Sequence, residues 1–247
     1  MTNFAGEYAK QYDLIHGQKD YEAEVSQVRN ELFLRGITTK CSVLDFGCGT
    51  GSHAAILRDK GFDAWGYDQN SDMIQEARKK NFKNRQYFTS DLSELDSNFK
   101  VVYSFFDVIN YQVTSAELNS FFDQMDSRLI SGGLLILDSW NKEVVKNDPP
   151  RKSSRSYMAE GREFVRKVYP SSSDNFETTR LLIELIDEKL SICVQSEEHL
   201  MRAYSPSELS QIITNKGYDD IKIFELSDWN SVPTVDSWRF GLSAVKL

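Results

Sequence analysis

Three glycines in five residues, Gly47, Gly49 and Gly51, stand between an apolar run ending at Phe46 and a helix-forming stretch from residue 52. Glycine lacks a Cβ, so it reaches positive φ and lets a ligand lie against bare backbone. The helix beyond turns its free N–H groups and positive dipole end to the same point. Asp68 ends the next apolar run, 21 residues after Gly47. A carboxylate there accepts hydrogen bonds from two ribose hydroxyls. Asp91 follows a third run, where it could accept a bond from an adenine amino group. Each feature alone has a plainer alternative: a glycine-rich tight turn, or an aspartate capping a helix. Three of them at three successive strand ends converge on one crevice and point to a bound nucleoside.

The loop spacing, G-x-G-x-G, differs from the G-x-G-x-x-G that aims a helix at a pyrophosphate. Asp45 precedes it. An acid so close suits a cationic amine, such as the methionine end of S-adenosylmethionine, better than a pyrophosphate.

These residues need a scaffold of alternating strands and helices. Apolar runs at 42–46, 62–67, 85–88, 101–106 and 134–138 read as strands, and 52–60, 71–80 and 116–129 as helices. Nearly all-apolar strands at βα spacing mean a parallel sheet covered on both faces. Residues 4–35 read as mostly helical, with Tyr21, Val25, Val28 and Leu32 at helical spacing. Ser71 is the expected cap of the helix to Lys80. After residue 145 the rhythm breaks. A polar, Pro-containing stretch, 146–156, precedes extended segments at 163–169, 178–186 and 189–194, with Asp174-Asn175 and 187–189 as turns. Ser205-Pro206 opens a last helix, with Glu208 completing a capping box. Two strands follow, 221–226 and 240–245. The expected fold is α/β: a Rossmann-like, seven-stranded, mostly parallel sheet with helices on both faces. A helical lid (1–36), a core (37–145), a small antiparallel insertion (146–203) and a final helix and strands (204–247) make one domain.

Composition narrows the partners. A formal net charge of −8 over 247 residues, without a sizeable basic cluster, argues against nucleic acid. Three cysteines without paired spacing suggest neither a disulfide framework nor a metal site. No apolar run approaches the length that spans a bilayer, and the N-terminus does not read as a secretory signal. The expected setting is a reducing cytoplasm, away from membranes, with a homodimer left open.

Val43-Leu-Asp-Phe-Gly-Cys-Gly-Thr-Gly51 resembles the signature loop of class I S-adenosylmethionine-dependent methyltransferases. The resemblance continues through Gly66-Tyr-Asp68, Thr89-Ser-Asp-Leu92 and Ser131-Gly-Gly133. It implies that Gly47, Gly49 and Gly51 pass the methionine moiety and that Asp68 holds the ribose. Asp91, with Leu92, reads adenine, and Gln69 lies beside the adenine face. Phe105 and Phe106 line the cofactor pocket, unless they are ordinary packing. A narrower resemblance rests on Tyr8-Ala-Lys-Gln-Tyr-Asp13, Lys19-Asp-Tyr21 and Glu198-His-Leu-Met-Arg202. These are similar to small-molecule methyltransferases that include the N,N-dimethyltransferases of nucleotide-linked amino sugars. It implies an N-terminal helix over the cofactor, with Tyr12 touching it. Tyr21 and Met73 complete the implied cofactor set. Where the sugar enzymes carry a histidine after the fourth strand, Tyr111 stands here.

The implied reaction is methyl transfer to N or O of a small molecule, a sugar or nucleotide-linked sugar among the candidates, releasing S-adenosylhomocysteine. Alternatives are a non-catalytic binder of the same cofactor and, on a similar sheet, a nicotinamide oxidoreductase. Asp107 and Tyr111 follow the fourth strand on the ligand-binding edge, and His199 falls on the insertion. They are the catalytic candidates, against readings as a loop carboxylate, lid packing and a structural histidine. His16 and His53 are less well placed for chemistry, with His53 an expected flank of the cofactor loop, and Arg202 could pair with a substrate anion or with a surface carboxylate.

Overall fold

A computed structural model of the protein describes residues 4–95, 98–173 and 177–247. The helices are α1 (Gly6–Ile15), α2 (Tyr21–Leu34), α3 (Ser52–Asp59), α4 (Ser71–Lys80), α5 (Ser115–Asp126), α6 (Lys142–Asn147) and α7 (Pro206–Asn215). The main-sheet strands are β1 (Ser42–Phe46), β2 (Asp63–Tyr67), β3 (Phe88–Thr89), β4 (Phe99–Ser104), β5 (Leu129–Trp140), β10 (Tyr218–Phe224) and β11 (Arg239–Lys246). A second sheet holds β6 (Ser153–Ala159), β7 (Arg162–Ser172), β8 (Thr178–Asp187) and β9 (Ile192–Arg202).

The seven-stranded sheet runs β10-β11-β5-β4-β1-β2-β3. Its strands are parallel except β11, which pairs antiparallel with both β5 and β10. The central strands are buried on both faces, and alternation sends their side chains to two cores. Leu44, Val102, Leu135 and Leu137 pack under α5 and α7. Val43, Val101, Leu134 and Ile136 pack under α2, α3 and α4. Each such fully buried aliphatic side chain contributes about 1.5–3 kcal/mol. Chain order reverses between β1 and β4, which lie side by side in the sheet. Their carboxyl ends therefore diverge and leave a crevice at that edge.

Several elements differ from the sequence reading. Residues 4–35 form two helices, α1 and α2, because the chain turns at His16–Asp20. The third strand is only Phe88–Thr89; residues 82–87 form a 3-10 helix. There Tyr87 packs edge-on to Trp65 and under the Arg58 guanidinium. The cap of α4 is Asn70, whose side chain accepts from Asp72 N and Met73 N, rather than Ser71. β5 begins at Leu129 and absorbs Ser131-Gly-Gly133 as a register break against β4. The polar stretch after residue 145 starts inside the end of α6 and runs into an extra strand, β6. β6 exposes most of its side chains, so it carried no apolar signal. The expected turn at Asp174-Asn175 lies outside the described residues. Ser205 caps α7, but Glu208 pairs with Arg202 instead of closing a capping box.

Candidate active site

The crevice at β1 and β4 opens into a cavity of about 900 Å³, near the upper end for small-molecule sites. Its floor comes from the β1, β2 and β4 tips, one wall from β7, β8 and β9, and its roof from α1.

Gly47, Gly49 and Gly51 all hold positive φ, but they do different work. A Cβ on Gly47 would lie 2.7 Å from Val108, and one on Gly51 would lie 2.3 Å from Phe88. Above Gly49 the nearest atom is Tyr12 Cε1 at 3.9 Å, so a ligand can rest on that backbone. Gly47 and Gly49 line the cavity; Gly51 is not among its lining residues, and its bare Cα makes room for Phe88 instead. Asp68 Oδ2 accepts from Gly49 N (2.9 Å) and Oδ1 from Asn70 N (2.8 Å). Burial raises the Asp68 carboxyl above its ordinary range, against those two bonds. Asp45 is also buried, which lifts its carboxyl to about 6, and its Oδ2 has no hydrogen-bond partner. Asp45 does not itself line the cavity; first among the groups that act on its carboxyl are His53 and Tyr103, so the cationic-amine role expected of it is not carried by its position.

Tyr12, Tyr21, Gln69, Met73, Phe105 and Phe106 also line the cavity. Asp91 and Leu92 do not. The Asp91 side chain is exposed and caps a short 3-10 turn, with Ser93 N at 2.8 Å and Ser93 Oγ at 2.7 Å. Those bonds lower its carboxyl below the usual range. Leu92 packs partly against the main core.

On the other wall the chain brings Asp107, Tyr111 and His199 to the same cavity. Asp107 is already engaged: Arg239 Nε donates to it at 2.6 Å, and the same guanidinium reaches Asp138. Asp138 in turn accepts from Phe106 N (3.0 Å) and Asp107 N (2.9 Å), fixing two residues at φ 71° and 67°. A carboxylate so tied holds the turn after β4, and it lines the cavity together with Tyr111 and His199. Buried Asn110 pins that turn, donating to Arg202 O (2.6 Å) and Ser139 Oγ (3.1 Å). Tyr111 OH then lies 2.8 Å from His199 Nδ1, and His199 Nε2 lies 3.1 Å from Glu197 Oε2.

A carboxylate only accepts, so Nε2 carries the hydrogen; in the neutral ring Nδ1 then accepts and Tyr111 O–H donates. His199 is fully buried and Glu197 nearly so. Burial pushes the Tyr111 phenol well above its ordinary range, so it stays protonated. Glu197 also accepts from Phe4 N (2.8 Å), Ala5 N (3.1 Å) and Gln195 Nε2 (2.7 Å). The start of the lid thus docks on the residue that orients His199. At its other end, Asp13 accepts from Thr50 Oγ1 (2.5 Å) and Lys80 Nζ (2.8 Å).

Sequence reasoning misses Glu197, Arg166 and the placement of His16, of which Arg166 and His16 line the cavity; His53 lines it beside the glycine loop it is expected to flank. Strand alternation puts Glu197, His199 and Met201 on one buried face of β9, a period-2 signal that was present in the sequence. Arg202 pairs with Glu208 (2.6 Å), so it is not free for a substrate anion. Trp140 lines the cavity, whereas Trp229 packs on Phe224.

A parallel sheet with a glycine turn and a carboxylate at its switch point, covered by a lid and an antiparallel wall, defines a nucleoside-cofactor enzyme of the Rossmann-like class. The family model described as "Methyltransferase domain" matches residues 17–223. A Streptomyces venezuelae protein named dTDP-3-amino-3,4,6-trideoxy-alpha-D-glucopyranose N,N-dimethyltransferase is 30% identical over 227 residues, covering 85% of this chain and 90% of its own. A Geobacillus protein described as a methyltransferase is 31% identical over 224 residues, covering 87% and 89%. A crystal structure of an S-adenosylmethionine-dependent methyltransferase from Clostridium acetobutylicum shares the fold: TM-score 0.79, 20% identity, 97% and 98% of the two chains. The chain belongs to the methyltransferase-domain family and is an S-adenosylmethionine-dependent methyltransferase. No helix among the described residues is long and apolar enough to cross a membrane.

Proposed function

We propose that this enzyme methylates a nitrogen or oxygen of a sugar or nucleotide-linked sugar, with Tyr111 and His199 receiving the acceptor's proton. The acceptor class is supported by the dTDP-amino-sugar relative. The observation that carries the proton route is the buried Glu197–His199–Tyr111 chain opening on the cavity that also holds Gly49 and Asp68.

When bound, S-adenosylmethionine supplies an activated methyl group on a sulfonium. Gly47 and Gly49 offer bare backbone to its amino-acid end, Asp68 its carboxylate to the ribose hydroxyls, and Gln69 and Met73 flank the base. Asp91 and Leu92 stand outside the cavity and have no part in this reading. Tyr12, Tyr21, Phe105 and Phe106 close around the reacting end and exclude water. Alignment of this kind supplies up to about 7–11 kcal/mol of barrier reduction. The Tyr111 oxygen accepts a hydrogen bond from the acceptor's N–H or O–H and orients its lone pair. As the new bond to the methyl forms, that proton moves to Tyr111 and the phenolic proton moves to His199 Nδ1. Glu197 stabilises the resulting imidazolium. Such general-base help is worth about 10²–10⁴-fold where the acceptor must lose a proton.

The chain acts as one domain, with residues 1–36 as lid and 146–203 as acceptor wall, on a small molecule in the cytoplasm rather than on nucleic acid. The test is a screen for S-adenosylhomocysteine release across amino sugars, nucleotide-linked amino sugars and their hydroxyl counterparts. Turnover confined to sugar acceptors supports the reading; turnover confined to protein or nucleic-acid acceptors refutes it.

A further inference from the structure

Arg166 lies on β7 and lines the cavity on the acceptor wall. Its Nε donates to Tyr8 OH at 3.1 Å. The acids that share the cavity lining are each occupied. Asp107 is held by Arg239, and Glu198 is paired with Arg180. Glu117 accepts from Thr114 N and Oγ1, both at 2.8 Å, and Asp68 accepts from Gly49 and Asn70. Among the described residues no carboxylate pairs with Arg166. Directly across the β6–β7 ladder stands Arg155, which also has no carboxylate partner among them. Like charges opposite one another on a sheet destabilise it unless something neutralises them. Around the Arg166 head stand the phenols of Tyr8, Tyr111 and Tyr157 and the ring of His16; the carboxylates nearest these rings are engaged elsewhere, Asp107 with Arg239, Glu197 with Phe4 N, Ala5 N and Gln195, and Glu7 with Gln11 and Lys10. Burial first, then the nearby Arg166, Lys19 and Arg155 charges, lower His16 to about 4, so it stays uncharged at neutral pH. A guanidinium that faces the cavity without a carboxylate partner, with exposed Arg155 across the ladder adding positive charge, is suited to take oxygen anions.

We propose that Arg166, supported by Arg155, binds an anionic group of the methyl acceptor, a phosphate or a carboxylate. This rests on the function proposed above and specifies its acceptor: a charged metabolite in place of a neutral free sugar. The cofactor lies elsewhere, over Gly47, Gly49 and Asp68, so Arg166 serves the second substrate. Tyr8 links the two halves of the acceptor wall. It accepts from Arg166, and its ring lies 6.3 Å from that of His199. An acceptor anchored by its anion at Arg166 therefore presents its reacting atom near Tyr111.

The test uses full-length protein saturated with S-adenosylhomocysteine, titrated calorimetrically with inorganic pyrophosphate and, separately, with acetate. Wild type, Arg166→Gln and Arg166→Lys are compared. Expected is binding of at least one anion by wild type, weakened tenfold or more in Arg166→Gln and less in Arg166→Lys, with S-adenosylhomocysteine affinity unchanged in all three. Pyrophosphate as the favoured probe identifies a phosphate-bearing acceptor, acetate a carboxylate-bearing one. Equal anion binding by wild type and Arg166→Gln, or binding of neither anion, overturns the proposal. So does a tenfold loss of S-adenosylhomocysteine affinity in Arg166→Gln, which would make Arg166 a cofactor ligand. Failure of wild type to bind S-adenosylhomocysteine at all would instead strike the functional reading on which the proposal stands.

Discussion

Replacing Glu197 by Gln tests the link between the lid and the proton route. Each carboxylate oxygen accepts two hydrogen bonds: Oε1 from Ala5 N and Gln195 Nε2, Oε2 from Phe4 N and His199 Nε2. An amide keeps only one accepting oxygen, so either orientation turns its NH₂ toward two donors. Two hydrogen bonds at about 1 kcal/mol net, plus the cost of leaving buried donors unmet, give about 2–4 kcal/mol. Gln195 also accepts from Tyr8 N and donates to Ala5 O, so the loss falls on the docking of the lid's first residues. At 1.4 kcal/mol per decade, the opening population of that segment should rise about 30- to 700-fold. Amide hydrogen exchange at Phe4, Ala5 and Tyr8 measures this. Those amides should lose protection while amides of β1 and β4 keep theirs. Turnover should fall as well, because His199 loses the carboxylate that stabilises its charged form. Wild-type exchange at all three amides, with wild-type turnover, would refute the shared role of Glu197.

Tyr111→Phe should cut kcat by about 10²–10⁴-fold with a hydroxyl acceptor, and leave S-adenosylhomocysteine affinity unchanged; steady-state kinetics with parallel calorimetry read both. Gly51→Ala should destabilise the fold by about 2–5 kcal/mol in urea titrations, from the positive φ of 75° and the 2.3 Å approach to Phe88. Gly49→Ala, with space above it, should cost only about 1–2 kcal/mol of stability yet weaken cofactor binding more than tenfold. His16 is lowered to about 4 in the folded protein, so between pH 6.5 and 4 the unfolded chain binds the extra proton. Stability is therefore lost as pH falls through that window, by at most about 3.4 kcal/mol from this group. Comparing wild type with His16→Asn isolates the term, since Asp45, raised to about 6, contributes in the opposite sense.

The glycine turn, Asp68 and the apolar central strands could be read from sequence because each rests on a local signal: residue type, spacing or continuous burial. β3 and β6 could not. One is a two-residue edge beside an aromatic contact, and the other is a largely exposed strand with no apolar alternation. Asp91 and Gly51 also do local work that motif spacing does not reveal: Asp91 caps its own turn with Ser93, and Gly51 clears space for Phe88. Glu197 and Arg166 depend on which strands become neighbours. Strand pairing across the insertion brings β9 under the lid and aims Arg166 at Tyr8. No local pattern around residue 166 announces that.

The most direct measurement is a calorimetric titration of S-adenosylhomocysteine into wild type and Asp68→Ala. Wild type should bind in the micromolar range. Asp68→Ala should bind about 100-fold more weakly, since hydrogen bonds to a charged group are worth about 1.5–3 kcal/mol each. No heat with folded wild type, or equal affinity in the two proteins, would contradict a nucleoside held between Gly49 and Asp68.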